Sequence, residues 1–344
     1  MELGICTFAD MPPDPVTGKK VTAHQRLQEL LEEIKLADEI GLDVFAVGEH
    51  HRKDYAASSP AVILGAAAAI TKNIKLSSGV TVLSSDDPVR VFQQFSTVDL
   101  LSNGRAEIMA GRGSFTESFP LFGYHLGDYD TLFSEKLELL LKINEQEKIT
   151  WSGKHRAAIS DLGIYPRPQQ DKLPIWIAIG GTPQSVQRAA MLGLPLTIAI
   201  IGGSPDRFAP YVNYYRQLWK EAGHEESQLQ VGINSHTYVA DSSKQAADEF
   251  YPGYADVMTR IGGERGWPPM NRDNYDMMRE PEGSLMVGSA QQVIDKILYE
   301  YELFHHTRYL AQIGVGTMPH EKIMRAIELF GTVVAPAVRK ALNK

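Results

Sequence analysis

Eight times along this chain a short β-branched run gives way to a stretch with helical periodicity, and that alternation constrains the fold more than any other feature. Parallel strands cannot be joined by a tight turn; they need a crossover, usually a helix. Leu3–Phe8 reads as the first strand. His24–Ile40 is its helix, with Leu27, Leu30, Leu31, Ile34 and Ala37 on one face and Gly41 at the end. Asp43–Val47, Ile74–Leu83 and Arg105–Ala110 are the next strands, followed in turn by helices over Pro60–Ile70, Pro88–Leu101 and Thr131–Asn144. The second half repeats the scheme. Strands are expected at Pro174–Ile179, Leu196–Ile201, Gln230–Val239 and Arg308–Ile313, with helices at Pro183–Leu192, Pro205–Ala222, Ala290–Phe304 and His320–Val334. Eight such units predict a closed (β/α)8 TIM barrel, a single domain over residues 1–344. A doubly wound open sheet is the second architecture that fits, but at this length it would usually split into two domains.

Three stretches exceed the minimal unit. Gly111–Asp130 is a Gly- and Phe-rich insertion after strand four. Glu147–Pro174 reads as a small hairpin with a Pro-rich exit. Tyr251–Gly283, rich in Pro, Gly, Met and Arg, follows strand seven and reads as a candidate lid. The formal net charge of −8 gives no general support to a nucleic-acid or anionic-membrane partner. One cysteine, Cys6, excludes a disulfide scaffold. No apolar run reaches the roughly 20 residues that span a bilayer, and no signal peptide is visible, so a cytoplasmic setting is the expectation.

The chemistry-bearing residues fall where barrel strands end. Glu49-His50-His51 closes the second strand. Adjacent strand residues point to opposite sides, so the two histidines do not chelate one metal together; one should face the barrel mouth. A pair of satisfied structural histidines is an equal reading, and without an HExxH motif or cysteine ligands no metal site is expected. Gly180-Gly181-Thr182-Pro183-Gln184-Ser185 turns a strand into a helix, with Thr182 at the N-cap and Pro183 at the first helical position. Such an end suits a phosphate, with Thr182 and Ser185 adding hydroxyls; a plain capped helix is the alternative. Gly111-Arg112-Gly113 offers a planar anion donor in a permissive turn, unless Arg112 is a surface residue. Gly79 and Val80 lie within the third strand among small residues, where a glycine often marks close approach of another group.

In order and spacing these segments resemble the bacterial luciferase-like flavin-dependent monooxygenases. The resemblance runs through Glu49-His50-His51, Asp87-Pro88-Val89-Arg90, Asp99-Leu100-Leu101-Ser102-Asn103-Gly104-Arg105, Gly111-Arg112-Gly113, Gly180-Gly181-Thr182, Gly193-Leu194-Pro195 and Val287-Gly288-Ser289. It implies a barrel that binds FMN at the carboxyl ends of its strands. Gly180, Gly181, Thr182 and Ser185 would hold the phosphate with help from Arg112. Gly79–Val80 matches a position where the family often has a non-prolyl cis bond under the flavin. His50 matches the histidine near the reactive carbon of the ring, and His51 the second of the pair.

The implied chemistry takes reduced FMN from a separate flavin reductase and oxygenates a small organic substrate through a C4a-peroxyflavin, with His50 as acid/base. Phe8, Phe115 and Phe119 are candidate apolar walls. The chain departs from luciferase itself at Gly111, where luciferase has a cysteine, and at Gly181, where it has a glutamate. Thiol reactivity and light emission are therefore not expected. A deazaflavin F420-dependent hydride-transfer enzyme, a non-catalytic flavin-binding protein and a metal-dependent barrel hydrolase are the alternatives. Arg188 is the only nearby cation in the helix after the phosphate loop, which favours FMN over the polyanionic F420. The family also implies a homodimer, for which the small-faced helix around Ala66–Ala69 is suited.

Overall fold

The structure, a computed structural model, describes residues 1–113 and 115–343; Ser114, inside the insertion after the fourth expected strand, and Lys344 lie outside them. In chain order the elements are β1 (Glu2–Thr7), α1 (Ala23–Glu39), β2 (Val44–Val47), α2 (Pro60–Ala68), β3 (Lys75–Ser78), β4 (Thr81–Val82), α3 (Pro88–Ser102) and β5 (Ala106–Gly111). Next come α4 (Ser118–Leu121), α5 (Tyr129–Glu145), β6 (Lys148–Trp151), β7 (Ile159–Gly163), β8 (Ile175–Ile179), α6 (Pro183–Met191), β9 (Leu196–Ile200) and α7 (Ala209–Glu221). The last are β10 (Val231–Ala240), α8 (Ser243–Glu264), α9 (Arg272–Arg279), β11 (Met286–Ser289), α10 (Ala290–Phe304), β12 (Arg308–Gln312), α11 (His320–Leu329) and α12 (Ala335–Leu342).

Eight strands pair in parallel and close on themselves in the order β1–β2–β3–β5–β8–β9–β10–β12, with β12 returning to β1. The period-2 rule accounts for both faces. Ile5, Phe45, Ile177, Ile198 and Ile233 point outward and pack beneath the helices. Cys6, Val44, Ala46, Met109, Trp176 and Leu310 form a second cluster inside the barrel. At the amino-terminal end this interior is plugged. Arg308, 1% exposed, makes a bidentate pair with Glu107, bonds Glu2, and lies 4.1 Å over the Trp176 ring.

The expected third strand, Ile74–Leu83, is broken into β3 and β4 by a cis peptide between Gly79 and Val80. The expected hairpin is present as β6 and β7, paired antiparallel. The segment after strand seven differs from its reading as a Pro- and Gly-rich insertion. Tyr251 lies in the middle of the 22-residue helix α8, with Pro252 inside it, and α9 follows. The Pro-Gly pair does not end the helix. Gly253 instead lets α8 close onto the loop after β12: a side chain there would sit 2.8 Å from the Thr317 carbonyl oxygen. The expected helix at Pro205–Ala222 begins as a separate 3-10 turn over Pro205–Phe208. In α2, Ala67 and Ala68 pack within the barrel while Ala66 is exposed. No helix among the described residues is long and apolar enough to cross a membrane.

One buried group on α10 has no counterpart in the plug. Glu300 is fully buried, and neither carboxylate oxygen has a hydrogen-bond partner among the described residues. Burial pushes its carboxyl up to about 8, against the opposing pull of Lys296. An acid whose folded value is raised contributes least once the unfolded chain has ionised. Stability should therefore fall as pH rises from about 4.5 to 8, by up to ~1.4 kcal/mol per unit. Glu300→Gln removes that slope: in urea titrations the variant should gain on the parent by on the order of 1–3 kcal/mol between pH 5 and 8. A constant difference across that range would mean Glu300 is already ionised in the fold.

Candidate active site

At the carboxyl ends of the strands the interior cluster opens into a cavity of about 330 Å3, within the size range of small-molecule sites. Its floor is apolar: Cys6, Val80, Met109, Ala178 and Leu310. The Gly79 carbonyl accepts a bond from the Cys6 thiol at 3.7 Å. Burial pushes that thiol up to about 12, so Cys6 stays protonated at neutral pH. Gly48, at the end of β2, is required here. A Cβ on it would lie 2.1 Å from the Phe8 ring and 2.9 Å from the Gly79 oxygen, so any side chain would push Phe8 out of the cavity wall.

The two histidines take different places. His50 lines the cavity and sits in an aromatic cage, its ring 4.4 Å from Phe8, 4.5 Å from Tyr55 and 4.8 Å from Phe115. Burial, with smaller contributions from the neighbouring His51 and Arg52 charges, pushes its pKa down to about 3. It is a neutral imidazole whose buried Nε2 has no partner among the described residues. His51 turns away and bonds the Glu49 carboxylate at 2.7 Å, outside the main cavity. The other Glu49 oxygen accepts the Val82 N–H at 2.9 Å. Glu49 thereby joins the end of β2 to the segment just beyond the cis peptide. The pair of histidines is thus one cage residue and one residue held by a carboxylate, as alternation along an extended segment requires.

On the far side, β8 turns through Gly180 and Gly181 into α6. Thr182 is at the N-cap and Pro183 begins the helix. A side chain at Gly180 would meet nothing within 4 Å, so open space lies beside this helix end. Arg112, after β5, reaches Thr182 Oγ1 at 3.4 Å, pairs with Asp130 and lies 5.0 Å over the Tyr129 ring. The Thr182 hydroxyl donates to Ser185 Oγ at 2.8 Å. The positive end of α6, two hydroxyls and a guanidinium meet in a corner whose chemistry suits an anion.

One cavity therefore brings together His50, Gly79, Val80, Arg112, Gly180 and Thr182. Gly181 and Ser185 stand just behind it, and His51 apart. Phe8 is a wall and Phe115 caps His50, whereas Phe119 is buried and stacks on Tyr129 instead. Thr197, Asn234 and Gln312 also line the cavity and escaped the sequence reading. Each is at least nine-tenths buried, and Thr197 Oγ1 and Gln312 Oε1 have no partner among the described residues. Their signal was a polar residue at an inward position of an otherwise apolar strand. Cys6, used above only to exclude a disulfide scaffold, is the thiol in the floor. No cluster of three or more metal-ligating side chains occurs among the described residues.

Comparison with known proteins identifies the family. Residues 1–307 match the family described as luciferase-like monooxygenase. The N-acetyl-S-alkylcysteine monooxygenase of Bacillus subtilis is 32% identical over 208 residues, covering 60% of this chain and 57% of that protein. The oxygenase component of the flavin-dependent trigonelline monooxygenase of Acinetobacter baylyi is 23% identical over 92% of this chain and 91% of its own. Among solved structures, monooxygenase RslO1 from Streptomyces bottropensis superimposes with a TM-score of 0.85 at 23% identity, over 98% of this chain and 99% of that one. The FMN complex of the oxygenating constituent of 3,6-diketocamphane monooxygenase from Pseudomonas putida gives 0.78 at 20%, with the same coverage. An F420-dependent secondary alcohol dehydrogenase gives 0.76 at 17%, again over 98% and 99%. At these identities the structural matches speak for the barrel alone. With the family match spanning most of its length, the chain belongs to the luciferase-like monooxygenases.

Proposed function

We propose that this chain is the oxygenase component of a two-component FMN-dependent monooxygenase that takes reduced FMN from a separate flavin reductase and oxygenates a small organic substrate. The observation that carries this reading is one continuous cavity. It joins an anion-binding corner at Arg112 and Thr182 to the neutral His50 across an apolar floor. A phosphorylated cofactor with a flat ring fits that layout: open space beside Gly180 for the phosphate and an unpartnered Nε2 at the other end. The FMN complex of the Pseudomonas enzyme and the "oxygenase component" of the Acinetobacter enzyme support the cofactor and the reductase.

Bound in this cavity, reduced FMN would supply the electrons that activate dioxygen. The chain's own residues do the rest. Arg112, Thr182 and Ser185 bind and orient the phosphate. Glu49 fixes the backbone beyond Val80, and with it the floor. The Phe8–Tyr55–Phe115 cage keeps water from His50. His50 presents Nε2 as a neutral hydrogen-bonding atom that holds a proton during turnover and releases it readily. The candidate lid, residues 251–283, would close over the His50 cage, since Arg265 lies 5.6 Å over the Phe115 ring. Its helix α8 is tied to the loop after β2 by Arg260–Asp54 and Arg52–Glu264, and Arg52 also reaches Glu117. A homodimer through α2 and α3 is part of the proposal, supported by exposed Val62, Leu100 and Leu101. The F420-dependent neighbour keeps hydride transfer as a second reading.

Anaerobic titration with reduced FMN, followed by mixing with oxygen, tests the assignment. Saturable binding with a long-lived oxygenated flavin spectrum is expected; no binding would sink the FMN reading, and binding of reduced F420 in its place would establish the second. His50→Ala should keep reduced-FMN affinity within about threefold while diverting most of the oxygen to hydrogen peroxide. Undiminished coupling, measured as product per flavin oxidised, would remove His50 from the mechanism.

A further inference from the structure

The anion-binding corner contains one cation more than its visible partners require. Arg112 stacks over Tyr129, and Arg188 stacks over Phe133 at 5.2 Å, one helical turn further along α5. Arg188 is on α6, three residues after Ser185 and so on the same helix face. The two guanidiniums are close enough to act on one another: Arg188 is pushed down first by burial and then by the charge of Arg112, while Asp130 opposes. Asp130 is the carboxylate at hand. Its side chain is 71% exposed and it pairs with Arg112. Arg188 makes no ion pair among the described residues, and its Nη1 is buried without a hydrogen-bond partner. An unsatisfied N–H on a half-buried cation is costly and is normally matched by an anion.

Charge arithmetic identifies the anion. The amides of α6 and the hydroxyls of Thr182 and Ser185 are neutral donors, which hold a singly or doubly charged phosphate alike. A second guanidinium adds a preference for the second charge. A phosphate monoester carries about −1.5 to −2 at pH 7, with its second ionisation near pH 6. A diester carries one charge. FMN ends in a monoester; the F420 phosphate is esterified on both sides.

We infer that Arg112 and Arg188 together select a terminal phosphate monoester in its dianionic form, with Asp130 holding Arg112 until the anion displaces it. This deepens the FMN reading and rests on it. Arg188 is here a specificity-determining residue for the cofactor, distant from the reacting ring.

Three probes separate this role from simple packing of Arg188 on Phe133: reduced FMN, reduced riboflavin and the reduced 4′,5′-cyclic phosphodiester of riboflavin. All are titrated anaerobically against the intact protein, from pH 5.5 to 7.5. In the parent, FMN should bind at least about tenfold more tightly than the cyclic diester, and its affinity should rise with pH through the phosphate ionisation. Arg188→Gln should weaken FMN about tenfold, flatten that pH dependence and leave riboflavin unchanged, while Arg188→Lys retains part of the preference. Equal losses for FMN and riboflavin, or no loss for FMN, would overturn the inference. Inorganic phosphate separates it from the cofactor reading. If no flavin binds, yet phosphate raises the melting temperature of the parent and not of Arg188→Gln, the dianion site stands and the FMN assignment falls. A phosphate effect absent from both, or equal in both, overturns the dianion site itself.

Discussion

A single buried guanidinium determines which end of this barrel does chemistry. Arg308 is on β12 and its bidentate partner Glu107 on β5, with three strands between them in either direction around the closed sheet. The pair therefore crosses the barrel's full diameter, with Glu2 and the Trp176 ring completing the plug. A buried ion pair is weak evidence for stability, because desolvation offsets much of the attraction. Its geometric consequence is stronger. A one-residue slip of β12 would carry Arg308 to the outer face and leave Glu107 buried without a partner. The plug fixes register and fills the lower interior, so the remaining space opens only at the carboxyl ends of the strands.

Above the plug, charge is segregated. Every full charge that lines the cavity apart from Glu49 belongs to the corner around Arg112. The rest of the lining is apolar or carries neutral polar groups: His50, Thr197, Asn234 and Gln312. His50 is neutral because it is desolvated by Phe8, Tyr55 and Phe115, and because its neighbours His51 and Arg52 disfavour a further positive charge. Glu49 does not neutralise this effect, since its carboxylate is committed to His51 and to the Val82 amide. Its place in the motif is thus structural. It couples the residue that carries the cage to the backbone that forms the floor, so cage and floor move as one unit. In the proposed enzyme a cationic end anchors the cofactor while a dry, neutral end handles dioxygen, where stray charge and water would divert the reaction.

The barrel was legible because its signal is repeated and local. The strand expected at Pro174–Ile179 obeys the period of two, with Trp176 and Ala178 inside and Ile175 and Ile177 outside. The cavity's glycines, arginine and histidine were legible because each marks a strand end. What escaped depends on contacts between segments far apart in the chain. Pro252-Gly253 reads as a break by its own propensities, yet α8 runs through it because the missing side chain lets the helix close on Thr317. The split between β3 and β4 leaves no mark in composition, since Ser77-Ser78-Gly79-Val80-Thr81 is compatible with a continuous strand, and only the family resemblance pointed to the cis bond at Gly79–Val80. Arg188 looks like an ordinary helix cation until Phe133 and Arg112 are placed beside it. Thr197, Asn234 and Gln312 come from three strands, and only closure of the sheet puts them on one wall.

The attachment of α8 to the barrel differs along its length. The connections from α8 to the loop after β2 are ion pairs with at least one partly exposed partner: Glu264 is 48% exposed and Arg260 32%. Such pairs contribute about 0–1 kcal/mol each and are readily exchanged for water. By contrast, the Gly253–Thr317 approach, along with the buried Tyr254 and Phe250 rings, fixes the middle of the same helix to the barrel. The middle of α8 is thus packed, whereas its carboxyl end is held by exchangeable contacts to the loop after β2. In the proposed enzyme substrate would enter and product leave beside that part of α8, while the corner at Arg112 and Thr182, across the cavity, would hold the cofactor phosphate.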